Sequence, residues 1–441
     1  MTVSVNPQGW TDATPSGDGR DVYVSAVGSD MNDGSSPSSP MRTFANASKN
    51  LRPGHGDWIC PRSGDAFNEP LPKWVWSGES ATNPCGVRTY GGLERAYILT
   101  GPGVTPLHFE GGGAAPPKIE HVVFQGIDFC SVGRDGSDEC DGVSFLRQVN
   151  DVLFEDCRWQ GYGNGLILYG FDGPHLNVRL RRCLVLDSWG SVGHVQGIYA
   201  ANISGLALFE CFVDHNGWNP DIFRHGIYCQ SGSGPTTIDG CVISRSSSHG
   251  LQLRSGGRVS ASLFLRNPIG MSLGGGDDPN PGGVGVNVRG NVILEGRDID
   301  ASNPRGWGIH VSNVNKGTIS GNVIAHNGGG QPSGISLEGD VASGIRDLRV
   351  SDNVIHNWGA GLEEKGDLST VVLTGNHFED HFAAYHNPAR GIASYMASIG
   401  WTNSTHDYIE ALRNQSRANW NRKLMPATGL IRHIKAGFTV A

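Results

Sequence analysis

"RHGIYCQ", residues 224–230, decides the fold because the chain writes it more than once. Upstream stands "HVQGIYA" at 194–200 and downstream "SHGLQLR" at 248–254. Each places a glycine before alternating apolar and polar or aromatic residues, the period-2 signature of a strand. The same opening recurs at Gly165 ("GLILYG"), Gly270 ("GMSLG"), Gly308 ("GIHVS"), Gly334 ("GISLE") and Gly361 ("GLEEK").

A second series runs in step with the first: "EDCRW", "RRCLV", "FECFV", "DGCVI", "SASLF", "RGNVI", "SGNVI", "SDNVI" and "TGNHF". Its centres are Cys157, Cys183, Cys211, Cys241, Ser262, Asn291, Asn322, Asn353 and Asn376. Two or three short strands fit into each repeat, punctuated by Gly, Asn, Asp or Pro, with no room for a helix between them. A unit of about 25 residues cannot bury its apolar face alone, so successive units must stack. The expected fold is all-β, a parallel β-helix in which equivalent residues lie about 4.8 Å apart up the stack. The central column then becomes an inward ladder of small side chains, amides bonding from coil to coil and free cysteines filling the same space. A straight column does not converge tetrahedrally, which argues against a cysteine metal site.

Composition agrees. Of 441 residues, 65 are glycine, about twice the usual ~7%. Charged residues are scarce at 17% and the net charge is −8, so a nucleic-acid partner is not expected. No apolar run is long enough to span a membrane. The start, "MTVSVNPQGWTD", lacks the basic and apolar regions of a secretory signal; extracellular or virion-associated work is expected, either with a signal already removed or by another route. The nine cysteines leave at least one unpaired, while Cys60 with Cys85, or Cys130 with Cys140, could form disulfides.

The stretch "VYVSAVGSDMNDGSSPSSPMRTFANASKNLRPGHGDWICPRSGDAF", from Val22 to Phe67, resembles the entry segment of the pectate-lyase-like superfamily of right-handed parallel β-helix proteins. The resemblance covers roughly residues 20–395. It implies a right-handed coil, an N-terminal capping segment, and activity as a polysaccharide lyase, a glycoside hydrolase or a phage tailspike depolymerase. The expected divisions are 1–118 for the entry segment and first coils, 119–395 for the β-helix, and 396–441 for a C-terminal helical cap. In the last, Ser404 is the expected N-cap of a helix burying Tyr408, Ile409 and Leu412, with a second short helix after Pro426. A homo-oligomer is possible, a trimer if the protein is tailspike-like.

Alternation turns the second and fourth residues after each glycine outward. This gives a stripe of Tyr199, Tyr228 and Gln252 flanked by Gln230 and Arg254, flat faces and donors suited to a sugar chain. The stripe continues through Ser272 and His310. His225 and His249 precede their glycines, as Gln196 does one coil earlier. Strict parity buries them, and a parity break at the glycine turns them out beside the tyrosines. His194 and Arg224 come from the preceding loops, and the insertion "DHNGWNPDIF" brings Asp214, His215, Trp218 and Asp221.

Many members of the superfamily use lysine or arginine as base, often with calcium. Here Lys316 and Lys365 are the only lysines between 119 and 394. A lysine base is therefore disfavoured, and a His/Tyr elimination fits better. In that scheme His225, Tyr228, His249 and Arg254 are catalytic. The substrate-binding set is Tyr199, Gln196, Gln230, Gln252, Arg224, Trp218, His194 and His310. The partner is a polysaccharide, acidic for a lyase. A hydrolase would need two carboxylates, from Asp277 and Asp278 or from Asp214 or Asp221. A non-catalytic adhesin is the third reading. No cofactor is required; calcium is possible at Asp30, Asn32 and Asp33, where a side-chain-stabilised turn explains the residues equally well.

Overall fold

The computed structural model describes residues 4–14, 17–110, 118–133, 140–191, 193–218, 221–276, 278–300, 302, 305–326, 333–378 and 384–440. They form two compact units. One comprises Met1–Val185, Asn202–Ala207 and Ser416–Trp420; the other comprises Leu186–Ala201, Leu208–Gln415 and Asn421–Ala441.

In the first unit, short strands wind into three parallel sheets. One sheet runs through Asp21–Val24, Trp58–Pro61, Cys85–Arg88, Ile119–Gln125, Val149–Glu155 and His175–Arg181. The entry segment adds the helix Phe44–Ala47, capped by Thr43, and buries Phe44 against Phe67 at 4.6 Å. Asp30 accepts hydrogen bonds from the Arg42 and Thr43 amides at 3.0 and 2.9 Å. Asn32 donates to the Pro40 carbonyl, and Asp33 accepts from Ser35. All three side chains considered for calcium are thus engaged in turns.

The second unit is also wound from parallel strands. Its strands Gln196–Ala201, His225–Cys229, His249–Leu253, Ile269–Leu273, Ile309–Ser312, Ser333–Glu338 and Ala360–Lys365 stack in parallel as one sheet. The register aligns Tyr199, Tyr228, Gln252, Ser272, His310, Ser336 and Glu363 in a single row. This is the stripe that alternation gave.

The opening glycines are fixed by close approach. A Cβ on Gly226 would sit 2.5 Å from Ser246 Oγ and 2.7 Å from the Gly250 carbonyl oxygen. On Gly250 it would come within 2.8 Å of the Gly270 carbonyl oxygen. The glycines stack on one another, and no side chain fits between coils.

The central column is buried throughout. In the first unit Cys157 and Cys183 donate Sγ–H to the Phe124 and Phe154 carbonyls, each at 3.4 Å. In the second unit the Asn291 amide donates to Asn322 Oδ1 at 3.0 Å, Asn322 to Asn353 and Asn353 to Asn376, both at 2.9 Å. A second ladder was not read in the sequence: Asn216 accepts from the Ser188 amide and Asn267 from the Ser246 amide, both at 3.0 Å. Neither Cys60–Cys85 nor Cys130–Cys140 is joined in a disulfide. Cys60 and Cys85 are instead core residues, and burial pushes both thiols up.

The C-terminal region carries helices Ile392–Ser398, Thr405–Arg413 and Leu430–Lys435. Ser404 Oγ accepts from the Asp407 amide, and Tyr408, Ile409 and Leu412 are buried. In the second unit this region meets turns of several coils, with Arg413 on Asp187 and Asp214 and Lys435 on the Gly321 carbonyl. In the first unit Arg417 holds Asp156 and Gln125, and Trp420 packs on Trp10. These contacts are those of a lateral strap. Among the described residues no helix is long and apolar enough to cross a membrane.

Candidate active site

The row of outward residues floors a cleft of about 930 Å³ in the second unit. His225 and His249 line it together with Tyr228 and Gln252, so the alternation does not hold across each glycine. The residue before the glycine therefore points the same way as the residue two after it. His225 lies edge-on to Tyr228 at 5.2 Å and to His249 at 4.6 Å.

A hydrogen-bonded chain orders these groups. The Gln252 amide, turned so that each atom meets a complementary partner, accepts from Arg254 at 3.1 Å and donates to His225 Nε2 at 2.9 Å. His225 then carries its proton on Nδ1, which faces His249 Nδ1 at 3.1 Å. One ring must donate and the other accept, so His249 carries its proton on Nε2. Ser248 Oγ lies 2.7 Å from His249 Nδ1. Burial, reinforced by the neighbouring cations, pushes His225 well below the usual imidazole range and His249 down to about 3. Both are neutral at pH 7.

Arg254 is the charge at the centre. Its guanidinium lies over the Tyr228 ring at 5.1 Å and donates to Gln230 Oε1 at 3.3 Å. Gln230 also accepts from the Tyr228 hydroxyl at 2.6 Å. The loop above is held close, since a Cβ on Gly276 (φ +103°) would come 2.4 Å from Arg254 Nε. Further along the row, His310 bridges Ser272 Oγ at 3.0 Å and Glu338 at 3.1 Å, and Trp307 stacks on its ring at 4.4 Å. The hydrogen bond from His310 holds the Glu338 carboxyl below its usual range. Arg305, Asp278 and Phe223 complete the walls.

A family model described as "Right handed beta helix region" matches residues 276–422. Among solved structures the chain resembles a rhamnogalacturonan lyase at 14% identity, covering 85% of this chain and 90% of that one, with a TM-score of 0.52. It also resembles pectate lyase Pel9A at 16% identity, covering 89% and 87%, with a TM-score of 0.53. The chain is a right-handed parallel β-helix. No curated protein matches its sequence.

Of the residues read from the sequence, the β-helix brings His225, Tyr228, His249, Arg254, Gln230, Gln252, His194 and His310 to the cleft. Tyr199 supports it from below, its ring 5.4 Å from that of Tyr228. Three others are placed elsewhere. Gln196 is buried, bonding the His225 amide and the Phe223 carbonyl. Arg224 is buried on the Gly190 carbonyl. Trp218, 38% exposed, packs on His215 outside the lining.

Nor does Asp214 offer a hydrolase carboxylate: it is fully buried and bound by Ser244, Arg245 and Arg413. Asp221 caps the Phe223 amide, and Asp277 lies outside the described residues. The binding reading missed Phe223, Trp307, Arg305 and Glu338. Glu338 stood in the outward fourth position of "GISLE", so parity carried that signal, whereas Arg305 and Trp307 sit in an irregular connection with no period to read.

Proposed function

We propose that the protein cleaves an acidic polysaccharide by β-elimination in this cleft. The observation that carries the reading is a guanidinium, a phenol and a pair of neutral imidazoles converging on one concave face. Arg254 neutralises the uronate carboxylate, which acidifies the adjacent C–H. Tyr228 and His249 carry the two proton transfers. One removes that proton, its electron pair forms the C=C bond as the glycosidic C–O bond breaks, and the other protonates the departing oxygen. Phe223, 51% exposed at the rim, and Trp307 offer flat faces for sugar rings. The fold shared with the two lyases supports this reading. A polysaccharide of this kind would be met outside the cell or from a virion.

A hydrolase reading rests on Glu338 and Asp278, the carboxylates lining the same cleft. A panel of acidic and neutral polysaccharides separates the cases. Ultraviolet-absorbing unsaturated uronides together with new reducing ends are expected for elimination. Reducing ends alone would establish hydrolysis, and binding with neither product would establish an adhesin.

A further inference from the structure

A second cluster of titratable groups lies on the turns of a different sheet of the second unit. His326 follows strand Val323–Ala325 at a left-handed corner (φ 62°), and His356 closes the next strand, Val354–His356. The third member, His386, comes from strand Ala384–His386, which pairs antiparallel with Phe438–Val440. Candidate ligand nitrogens of the three all lie within 4.8 Å of one another, and no other such group occurs among the described residues. The ring centroids of His326 and His386 are 4.5 Å apart, and those of His356 and His386 are 5.5 Å apart. Phe438 stacks on His386 at 4.7 Å and lies 5.7 Å from His356, walling one side with hydrocarbon. His356 Nδ1 is sealed from solvent with no hydrogen-bond partner.

That last observation separates this trio from an ordinary aromatic cluster. A sealed imidazole nitrogen without a partner is destabilising, and no neighbouring group reaches His356 Nδ1 within hydrogen-bond distance; what such a nitrogen lacks is an acceptor for its lone pair. A metal ion is such an acceptor. The ligand set is all nitrogen, without carboxylate or thiol, which disfavours calcium and magnesium and suits zinc, copper or nickel. Zinc–nitrogen bonds of about 2.0–2.1 Å in a tetrahedron require nitrogens about 3.4 Å apart, so modest rotations of the three rings close the site.

We propose that His326, His356 and His386 form a three-histidine site for a divalent transition ion of the zinc class. The ion clips the antiparallel strand pair 384–386/438–440 to the coils at 326 and 356, and its fourth position is left to water. The site is independent of the cleft chemistry.

Titrating the metal-stripped full chain with zinc in a calorimeter should show one tight equivalent, with cobalt giving visible bands of a four- or five-coordinate ion. Zinc should raise the melting temperature and magnesium should not. His386→Gln and, separately, His356→Ala should remove the equivalent, the cobalt bands and the melting shift, while His55→Ala, at a half-buried histidine elsewhere, keeps all three. An unchanged zinc equivalent in folded His386→Gln, or a wild-type chain that binds zinc no better than magnesium, would overturn the site.

Discussion

Two polar clusters of the second unit lie close in sequence and differ in how their charge is balanced. Around Asp214, the carboxylates of Asp187 and Asp214 are met by Arg245, Arg413 and His215, with His215 Nδ1 2.8 Å from Asp187. Every charge there has an opposite partner. Around Arg254, the partners are the neutral amides of Gln252 and Gln230 and the Tyr228 ring, so the contacts described for the guanidinium are with dipoles. The first arrangement holds strap to coil. The second leaves a positive charge facing a cleft, as recognition of an anionic substrate requires.

Four experiments sharpen this contrast. The largest effect is expected in the cleft: Tyr228→Phe and His249→Ala should each lower the rate of unsaturated-product release by about 10²–10⁴-fold. A substrate with an activated leaving group should rescue only the variant that has lost the acid, which assigns the two roles. Next, Arg413→Ala removes one partner from buried Asp214 and half-buried Asp187, which keep Arg245 and His215, and should cost about 1–3 kcal/mol of stability in denaturant melts, while the protein that remains folded keeps cleaving. Equal losses of activity in the two classes of variant would erase the distinction.

The clusters should also separate on acid titration. His249 titrates at about 3 when folded against 6.5 when free, so its contribution is intact above pH 6.5. It declines as pH falls towards 3, by up to about 1.4 kcal/mol per pH unit. Burial alone would raise Asp187, but the His215 hydrogen bond and the Arg413 charge override it and hold the carboxyl at about 2 against 3.8. Its contribution, about 2 kcal/mol, is intact above pH 3.8 and is lost as pH falls through 2. Melting temperatures between pH 7.5 and 4.5 should therefore fall less steeply in His249→Gln than in wild type, while Asp187→Asn leaves that slope unchanged. The smallest effect is expected at Trp218→Ala, outside the lining, with stability within about 0.5 kcal/mol of wild type and a cleavage rate little altered.

The parts legible in the sequence were those that repeat. Gly226, Gly250 and Gly270 announced the coil, and alternation from them gave the row of Tyr199, Tyr228, Gln252, Ser272 and His310 residue by residue. The column of Cys241, Ser262 and Asn291 was equally plain. What a repeat does not encode was lost. His225 and His249 stood undecided because the alternation does not hold across the glycine that follows each of them, and a period-2 pattern cannot report its own break. Trp218 and Asp214 looked like cleft walls because the insertion adjoins the row in sequence. The partner that neutralises Asp214, Arg413, lies about two hundred positions away, where no local pattern points to it.

The most direct measurement is a crystal structure of Tyr228→Phe with an acidic oligosaccharide. The account predicts a uronate carboxylate on the Arg254 guanidinium, with the glycosidic oxygen and the C–H beside the carboxylate within reach of His249 and residue 228. A chain bound along another sheet, or across the cleft with its carboxylates turned away from Arg254, would contradict it.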